Sequence, residues 1–367
     1  MIRLALILIL LLSLIGCGSS SNNSATPVTS TPLAQGVRVL GLHVNNTATT
    51  DYATAYDQAM SLGVREVSVS LDWALLEPSV GTYDDTIPAI MDAFYPNYAG
   101  DISIVLRPLD TSGPSMPSDI AGLSFDNTQV ITAFENFLDH LHSQLGTLNA
   151  SGKLKWIQVG NEIDATLGSD PAKWAQWQTF FNAAKTKIHA LWGPNVIVSS
   201  IIQFNALNDS NTRTQYLNFL PSLDSATLTY YPLNSDFTVR PTSDIASDFD
   251  FLVNTIPGKP IILQECGYPS STVDNSSETQ QADFISAVFN AWDAHLDRIA
   301  LIDFAWQYDV SDAQASQWVI DYHQNGQPYE NEFKQYLLTL GLSHNDGTEK
   351  PALQRLRDEL LTRAWVQ

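Results

Sequence analysis

Cysteine, basic residues and metal-ligand spacing are scarce in this sequence. Its 367 residues include two cysteines, Cys17 and Cys266, and the first lies at the end of an amino-terminal apolar run. Cys266 therefore has no partner within the chain, which excludes a fold built on disulfides. Lys and Arg number 18 against 39 Asp and Glu, a net charge of −21. So few basic residues exclude nucleic acid as a partner, because phosphates need clusters of Lys and Arg. The acidic balance itself serves solubility. The seven histidines show no metal-ligand spacing, and no third carboxylate stands close to the motifs described below. Neither a catalytic metal nor another cofactor is expected. A glycine-rich phosphate loop is also missing: after the first strand the chain reads Gly41-Leu42-His43-Val44-Asn45-Asn46, which excludes an open dinucleotide-binding sheet.

The one long apolar run, residues 4–12, follows Arg3. It is too short to span a bilayer and has the length of a signal segment. It leads into Leu14-Ile15-Gly16-Cys17, which resembles the lipobox of bacterial lipoproteins. The resemblance implies a leader over residues 1–16, cleavage before Cys17 and a lipid on Cys17. It places the protein on the membrane of the bacterial cell envelope. Residue 18 is Gly rather than Asp, which points to the outer membrane where two are present. The alternative is an ordinary secretory signal with a chance cysteine. Residues 17–35 are rich in Ser, Asn, Thr and Pro and carry too little apolar surface to offset chain entropy, so they read as a tether. Residues 36–367 form a single domain.

In that domain, strand and helix patterns alternate. Strands are expected at 37–44, 65–71, 102–106, 154–159, 196–202, 226–231, 260–264 and 299–306. Helices are expected at 52–62, 87–98, 128–145, 171–191, 216–220, 245–253 and 278–295, with terminal helices at 330–340 and 351–361. Strands joined by helices pair in parallel through right-handed crossovers. Eight such units predict an α/β fold, a single (β/α)8 TIM barrel, whose chemistry sits at the carboxyl ends of the strands.

Two strands stop at a carboxylate. The fourth ends in Gly160-Asn161-Glu162 and the seventh in Gln264-Glu265-Cys266-Gly267-Tyr268-Pro269. Burying an unpaired charge is costly, so such residues face a cavity, pair, or stay neutral. Two carboxyls facing each other at a barrel mouth suit glycosidic bond cleavage, which needs one protonated and one ionised group. Other polar residues at strand ends are His43, Trp73, Arg107, Tyr231 and Trp306.

These segments, together with Trp73 through Glu77-Pro78 to Gly81-Thr82-Tyr83, resemble the retaining glycoside hydrolases of clan A, in particular galactanase-like and glucanase-like members. Cys266 stands where those members often carry Thr. The resemblance implies that Glu162 is the acid/base and Glu265 the nucleophile. It also implies that Asn161 binds the sugar 2-hydroxyl, Tyr231 hydrogen-bonds the nucleophile and Trp306 forms a sugar platform. Tyr230 is the poorer choice beside Tyr231, because successive strand residues point to opposite faces. His43, Trp73 and Arg107 are further substrate-binding candidates. Each has a structural alternative: core packing for Trp73, and pairing of Arg107 with Asp110. The expected activity is that of a retaining endo-β-glycosidase acting on a β-linked glycan, with the chain a monomer. The alternatives are a non-catalytic surface glycan-binding lipoprotein and a transglycosylase using the same two Glu.

Overall fold

The computed structural model describes residues 33–366. The leader, Cys17 and the tether as far as residue 32 lie outside the described residues. Within them, no helix is long and apolar enough to cross a membrane.

The chain builds one parallel sheet of β1 (Val39–Leu42), β2 (Glu66–Asp72), β3 (Asp101–Arg107), β4 (Leu154–Val159), β5, β6 (Ala226–Tyr230), β7 (Ile261–Cys266) and β8 (Ile299–Phe304). β5 comes in two pieces, Ile197–Ser199 and Ile201–Gln203, broken at Ser200. Its first piece pairs with β4 and its second with β6. β1 pairs with both β2 and β8. The two ends of the sheet are thus halves of one strand, and the sheet closes into an eight-stranded barrel.

Helices α1 (Tyr52–Ser61), α2 (Thr86–Phe94), α3 (Thr128–Gln144), α4 (Pro171–Trp192), α5 (Ser210–Phe219), α6 (Ile245–Thr255), α7 (Glu278–Ala294) and α8 (Pro351–Thr362) surround it. Their starts follow from local chemistry. Asp51, Asn127, Asp170 and Ser277 each accept a hydrogen bond from a backbone N–H of the first turn, and Pro171 opens α4 where no amide donor is needed. Trp174 and Trp177 of α4 are buried packing residues. Just before the barrel, the Arg38 guanidinium donates to the carbonyls of Leu33 and Ala34, and the Trp365 indole also donates to Leu33.

Alternation along each strand separates two environments. Leu40, Leu42, Val67, Ile102 and Ile104 face outward and form the main core under the helices. The inward set is unusually polar for a barrel interior, where branched aliphatics dominate. Glu66, Ser103, Gln158, Thr227, Gln264 and Asp303 are all buried.

The segment expected as a terminal helix at 330–340 has a different place. It forms Glu330–Leu338 and packs with Asp312–Asp321 in the long connection after β8. Val319, Phe333 and Leu337 form a small separate core there, joined by Phe237, Trp306, Trp318, Tyr322 and Tyr336. Several of these residues also line the cavity at the barrel mouth. The pattern of this helix is amphipathic, but its apolar face packs over the mouth rather than against the barrel wall.

Candidate active site

A cavity of about 720 Å³ opens at the carboxyl ends of the strands. Asn161, Glu162, Tyr231, Glu265, Trp306, Arg107 and His43 line it, so seven of the eight sequence-derived candidates in the barrel meet in one place. Trp73 does not. It is fully buried, with its ring edge-on to Phe134 at 4.9 Å. Its indole N–H donates to Glu77 Oε2 at 2.7 Å, and Glu77 Oε1 accepts from the Gly81 amide at 2.7 Å. The Trp73–Glu77–Gly81 chain shapes the turn after β2 and is a packing device, not a sugar platform.

Glu162 reaches the cavity through an unusual backbone path. Gly160 has φ 83° and Glu162 φ 44°. A Cβ on Gly160 would lie 2.6 Å from both Ile163 and Trp177, so only glycine permits both the turn and the close packing. The Glu162 carboxylate is then held by three donors. Thr229 Oγ1 donates to Oε1 at 2.6 Å, while Thr111 Oγ1 and Gln203 Nε2 donate to Oε2 at 2.7 and 2.8 Å. Gln203 is itself fixed, its backbone N–H donating to buried Asp164 Oδ1 at 2.8 Å. Burial, and then the charge of Glu265, outweigh the three donors and push Glu162 up to about 7.

Glu265 has a different setting. Tyr231 donates its hydroxyl to Glu265 Oε2 at 2.7 Å. Burial and the Glu265 charge hold the Tyr231 hydroxyl protonated, well above its usual range. Tyr230 points the other way, into the helix layer, and donates to Asp248 at 2.8 Å. Asn161 donates to Asp110 at 2.9 Å, and its Oδ1 has no partner among the described residues. Arg107 is spent on Asp72, 2.8 Å away, and stands 3.9 Å from Asp110. Trp306 lies 5.1 Å from Trp318, the two rings tilted by 44°. His43 turns its Nε2 to Asp303 and to the Gln264 carbonyl, both at 3.1 Å. Among the described residues, no group of three or more His, Cys, Asp or Glu could hold a metal ion.

The model of Glycosyl hydrolase family 53 matches residues 110–331, more than half of the chain. The chain belongs to glycosyl hydrolase family 53. No curated protein matches the sequence. Several solved structures share the fold. A family 53 catalytic domain from Ignisphaera aggregans superposes with a TM-score of 0.60 at 17% identity, covering 91% of this chain and 97% of that one. A GH5_18 protein from Bifidobacterium longum subsp. longum, solved in complex with Manb1-4GlcNAc, gives 0.66 at 14% identity, with coverage of 89% and 78%. An exo-beta-1,4-mannosidase from Opitutaceae bacterium strain TAV5 gives 0.65 at 15%, with coverage of 92% and 61%. This family 53 chain is a glycoside hydrolase with a clan A barrel.

Four residues around the two carboxyls escaped the reading of the sequence. Thr229 and Gln203 carried a usable signal, since both lie at the inward-facing end of a strand, Thr229 two residues before Tyr231. Thr111 and Tyr336 carried none. Thr111 follows β3 in a short loop. Tyr336 reaches the cavity from the helix over the mouth, where its buried hydroxyl lies in the field of both Glu162 and Glu265.

Proposed function

We propose that the protein is a retaining endo-β-glycosidase that hydrolyses a β-linked polysaccharide or oligosaccharide by double displacement. The observation that carries this reading is the contrast between the two carboxyls. Glu162 is a half-buried acid raised to about 7, able to keep its proton near neutrality, and Glu265 instead accepts a hydrogen bond from the Tyr231 hydroxyl. Such a split assigns an acid and a nucleophile.

In the first step a Glu265 oxygen bonds to the anomeric carbon as the glycosidic C–O bond breaks. Glu162 passes its proton to the leaving oxygen. A glycosyl ester on Glu265 results. In the second step Glu162, now ionised, takes a proton from water, and the water oxygen bonds to the anomeric carbon. The ester C–O bond breaks, Glu265 is freed and the configuration is retained. Asn161 is assigned to the 2-hydroxyl and Trp306 to the face of the sugar in the cleavage site.

The anomer first released from a β-glycan, followed by proton NMR, tests the mechanism. The β-anomer is expected, and initial release of the α-anomer would overturn the nucleophile role of Glu265. Glu265→Ala should be inactive and regain turnover with azide as the β-opposed glycosyl azide. For substrate, the strand-end motifs favour β-galactan and β-1,3-glucan. The Manb1-4GlcNAc bound to the GH5_18 protein and the activity of the exo-beta-1,4-mannosidase, both of similar fold, add β-linked mannosides. Product profiles on these three glycan classes choose among them.

The amino-terminal motif supports anchoring by lipid on Cys17 at the cell envelope, with the barrel outside the cytoplasm. Expression in a bacterial host with Cys17→Ala should move the protein from the membrane fraction to the soluble one. An unchanged membrane fraction would remove the anchor from the proposal.

A further inference from the structure

The catalytic cavity continues beyond the two carboxyls. A second cavity of about 410 Å³ adjoins it outside the ends of β5 and β6. Asn205, Leu233, Asn234 and Ser235 line both, so the two form one continuous depression. The second volume falls within the range of about 300–1,000 Å³ usual for a ligand site. The hydrolysis above assigns it no part of the substrate.

One wall is polar for a local reason. After β5 the chain turns through a 3₁₀ helix, Phe204–Asn208. Such a helix has three residues per turn, so side chains three apart share a face. Phe204 and Leu207 share the inner face and are buried, with Phe204 edge-on to Tyr230 at 5.1 Å. Asn205 and Asn208 share the next face, are exposed, and line the second cavity. Each side-chain amide offers both an N–H donor and a carbonyl acceptor.

The other wall is a small hairpin after β6. Leu233 and Val239 form an antiparallel bridge, and the Asn234 backbone N–H donates to the Thr238 carbonyl at 2.8 Å. The Asn234 side chain donates to Thr238 Oγ1 at 3.0 Å. Phe237 has φ 63°, a backbone angle at which a bulky residue is rare, and packs on Phe333 of Glu330–Leu338 at 5.0 Å. The hairpin is thereby fixed to the helix over the mouth, with Asn234 and Ser235 lining both cavities.

Charge decides what kind of ligand fits. Among the described residues, Arg240 is the one cation lining the second cavity. Its guanidinium donates twice to Asp248, at 2.8 and 2.9 Å, and once to Asp244 at 3.2 Å. Two carboxylates answer its one positive charge, so an acidic sugar would find no free cation there. A neutral sugar, rich in hydroxyls, suits the exposed amides.

Position decides which part of the substrate it is. Gln203, the residue before the 3₁₀ helix, donates to Glu162 at 2.8 Å. The acid must reach the glycosidic oxygen, so the leaving sugar lies beside it. The second cavity opens from that side, whereas Trp306, assigned to the sugar in the cleavage site, follows β8.

We propose that the second cavity is a subsite for a neutral sugar of the leaving chain, with Asn205 and Asn208 as its hydrogen-bonding residues. This rests on the hydrolase reading with Glu162 as the acid. The first leaving sugar lies beside Glu162 and the second between the two asparagines and the hairpin, so the leaving product has two or more units.

The test uses oligosaccharides of β-galactan, β-1,3-glucan and β-mannan, two to six units long, with oxygen-18 at the reducing end. Mass spectrometry of the products counts the sugars that leave with the label. The wild type should release labelled products of two or more units. The double variant Asn205→Ala, Asn208→Ala should lower kcat/KM on the tetrasaccharide about tenfold relative to the 4-nitrophenyl β-glycoside of the same sugar, two hydrogen bonds being lost. It should also move cleavage toward release of a single labelled sugar, with the fold checked by thermal melting. A wild type that releases the label only as monosaccharide, or a ratio unchanged in the double variant, overturns the proposal. Failure of the underlying reading looks different: the wild type cleaves none of these oligosaccharides or aryl glycosides, and the subsite falls with it.

Discussion

Thr229 and Tyr231 stand two residues apart at the end of β6, and each holds one of the two carboxyls. Thr229 donates to Glu162 at 2.6 Å and Tyr231 to Glu265 at 2.7 Å. The strand repeat of two points both side chains into the barrel mouth. One strand end thus sets the relative position of the two carboxyls.

The two contacts should fail differently. A hydrogen bond to a charged group contributes about 1.5–3 kcal/mol, so Tyr231→Phe should lower kcat/KM by about 10- to 100-fold. Thr229→Val removes a donor that favours ionised Glu162. Its expected effect is a shift of the basic limb of the pH profile to higher pH, with a smaller loss at the optimum. Steady-state kinetics across pH would separate the two.

Glu162 should set that basic limb. The acid must carry its proton for the first step, and its folded value is about 7, so kcat/KM should fall as pH rises through about 7. Glu162→Gln should lose about 10²–10⁴-fold on glycans. The loss in the first step should be far smaller on an aryl glycoside whose leaving oxygen needs no proton. Stability follows the same proton. The folded value lies above the unfolded one of about 4.3, so the folded state binds more protons between them. Stability from this group is full below the unfolded value and is lost as pH rises through about 7. Glu162→Gln should therefore raise Tm more at pH 8 than at pH 4.

Trp73 and Trp306 test the division between packing and binding. Trp73→Phe leaves buried Glu77 without its indole donor, at a cost of about 1–3 kcal/mol, and should lower Tm while KM on the substrate stays the same. Trp306→Ala should do the reverse, raising KM or lowering kcat/KM about tenfold or more with a smaller change in Tm. A KM effect from Trp73→Phe with Tm unchanged would return Trp73 to the site.

Gly160→Ala should damage stability and activity together. The residue sits at φ 83°, and the added methyl group would meet Ile163 and Trp177. Backbone strain costs more than about 1 kcal/mol, and overpacking adds about 1–3 kcal/mol. The shift falls on Asn161 and Glu162, the next two residues, so the surviving folded protein should have a reduced kcat. Thermal melting and kinetics on the same preparation check both effects.

By itself the sequence determined the alternation of strand and helix, the barrel, and the two carboxyls at strand ends. These are written locally, in periodicity and in the residue that follows each apolar run. The choice of Tyr231 over Tyr230 was legible for the same reason, since adjacent strand residues face opposite ways. Only the tertiary structure decided what surrounds those groups. Trp73 went to the core because α3 brings Phe134 and Phe137 over it. Thr111, Gln203 and Thr229 come from three different strand ends and converge on Glu162 only once the barrel closes. Glu330–Leu338 lies over the mouth because the connection after β8 folds back, which an amphipathic pattern does not encode.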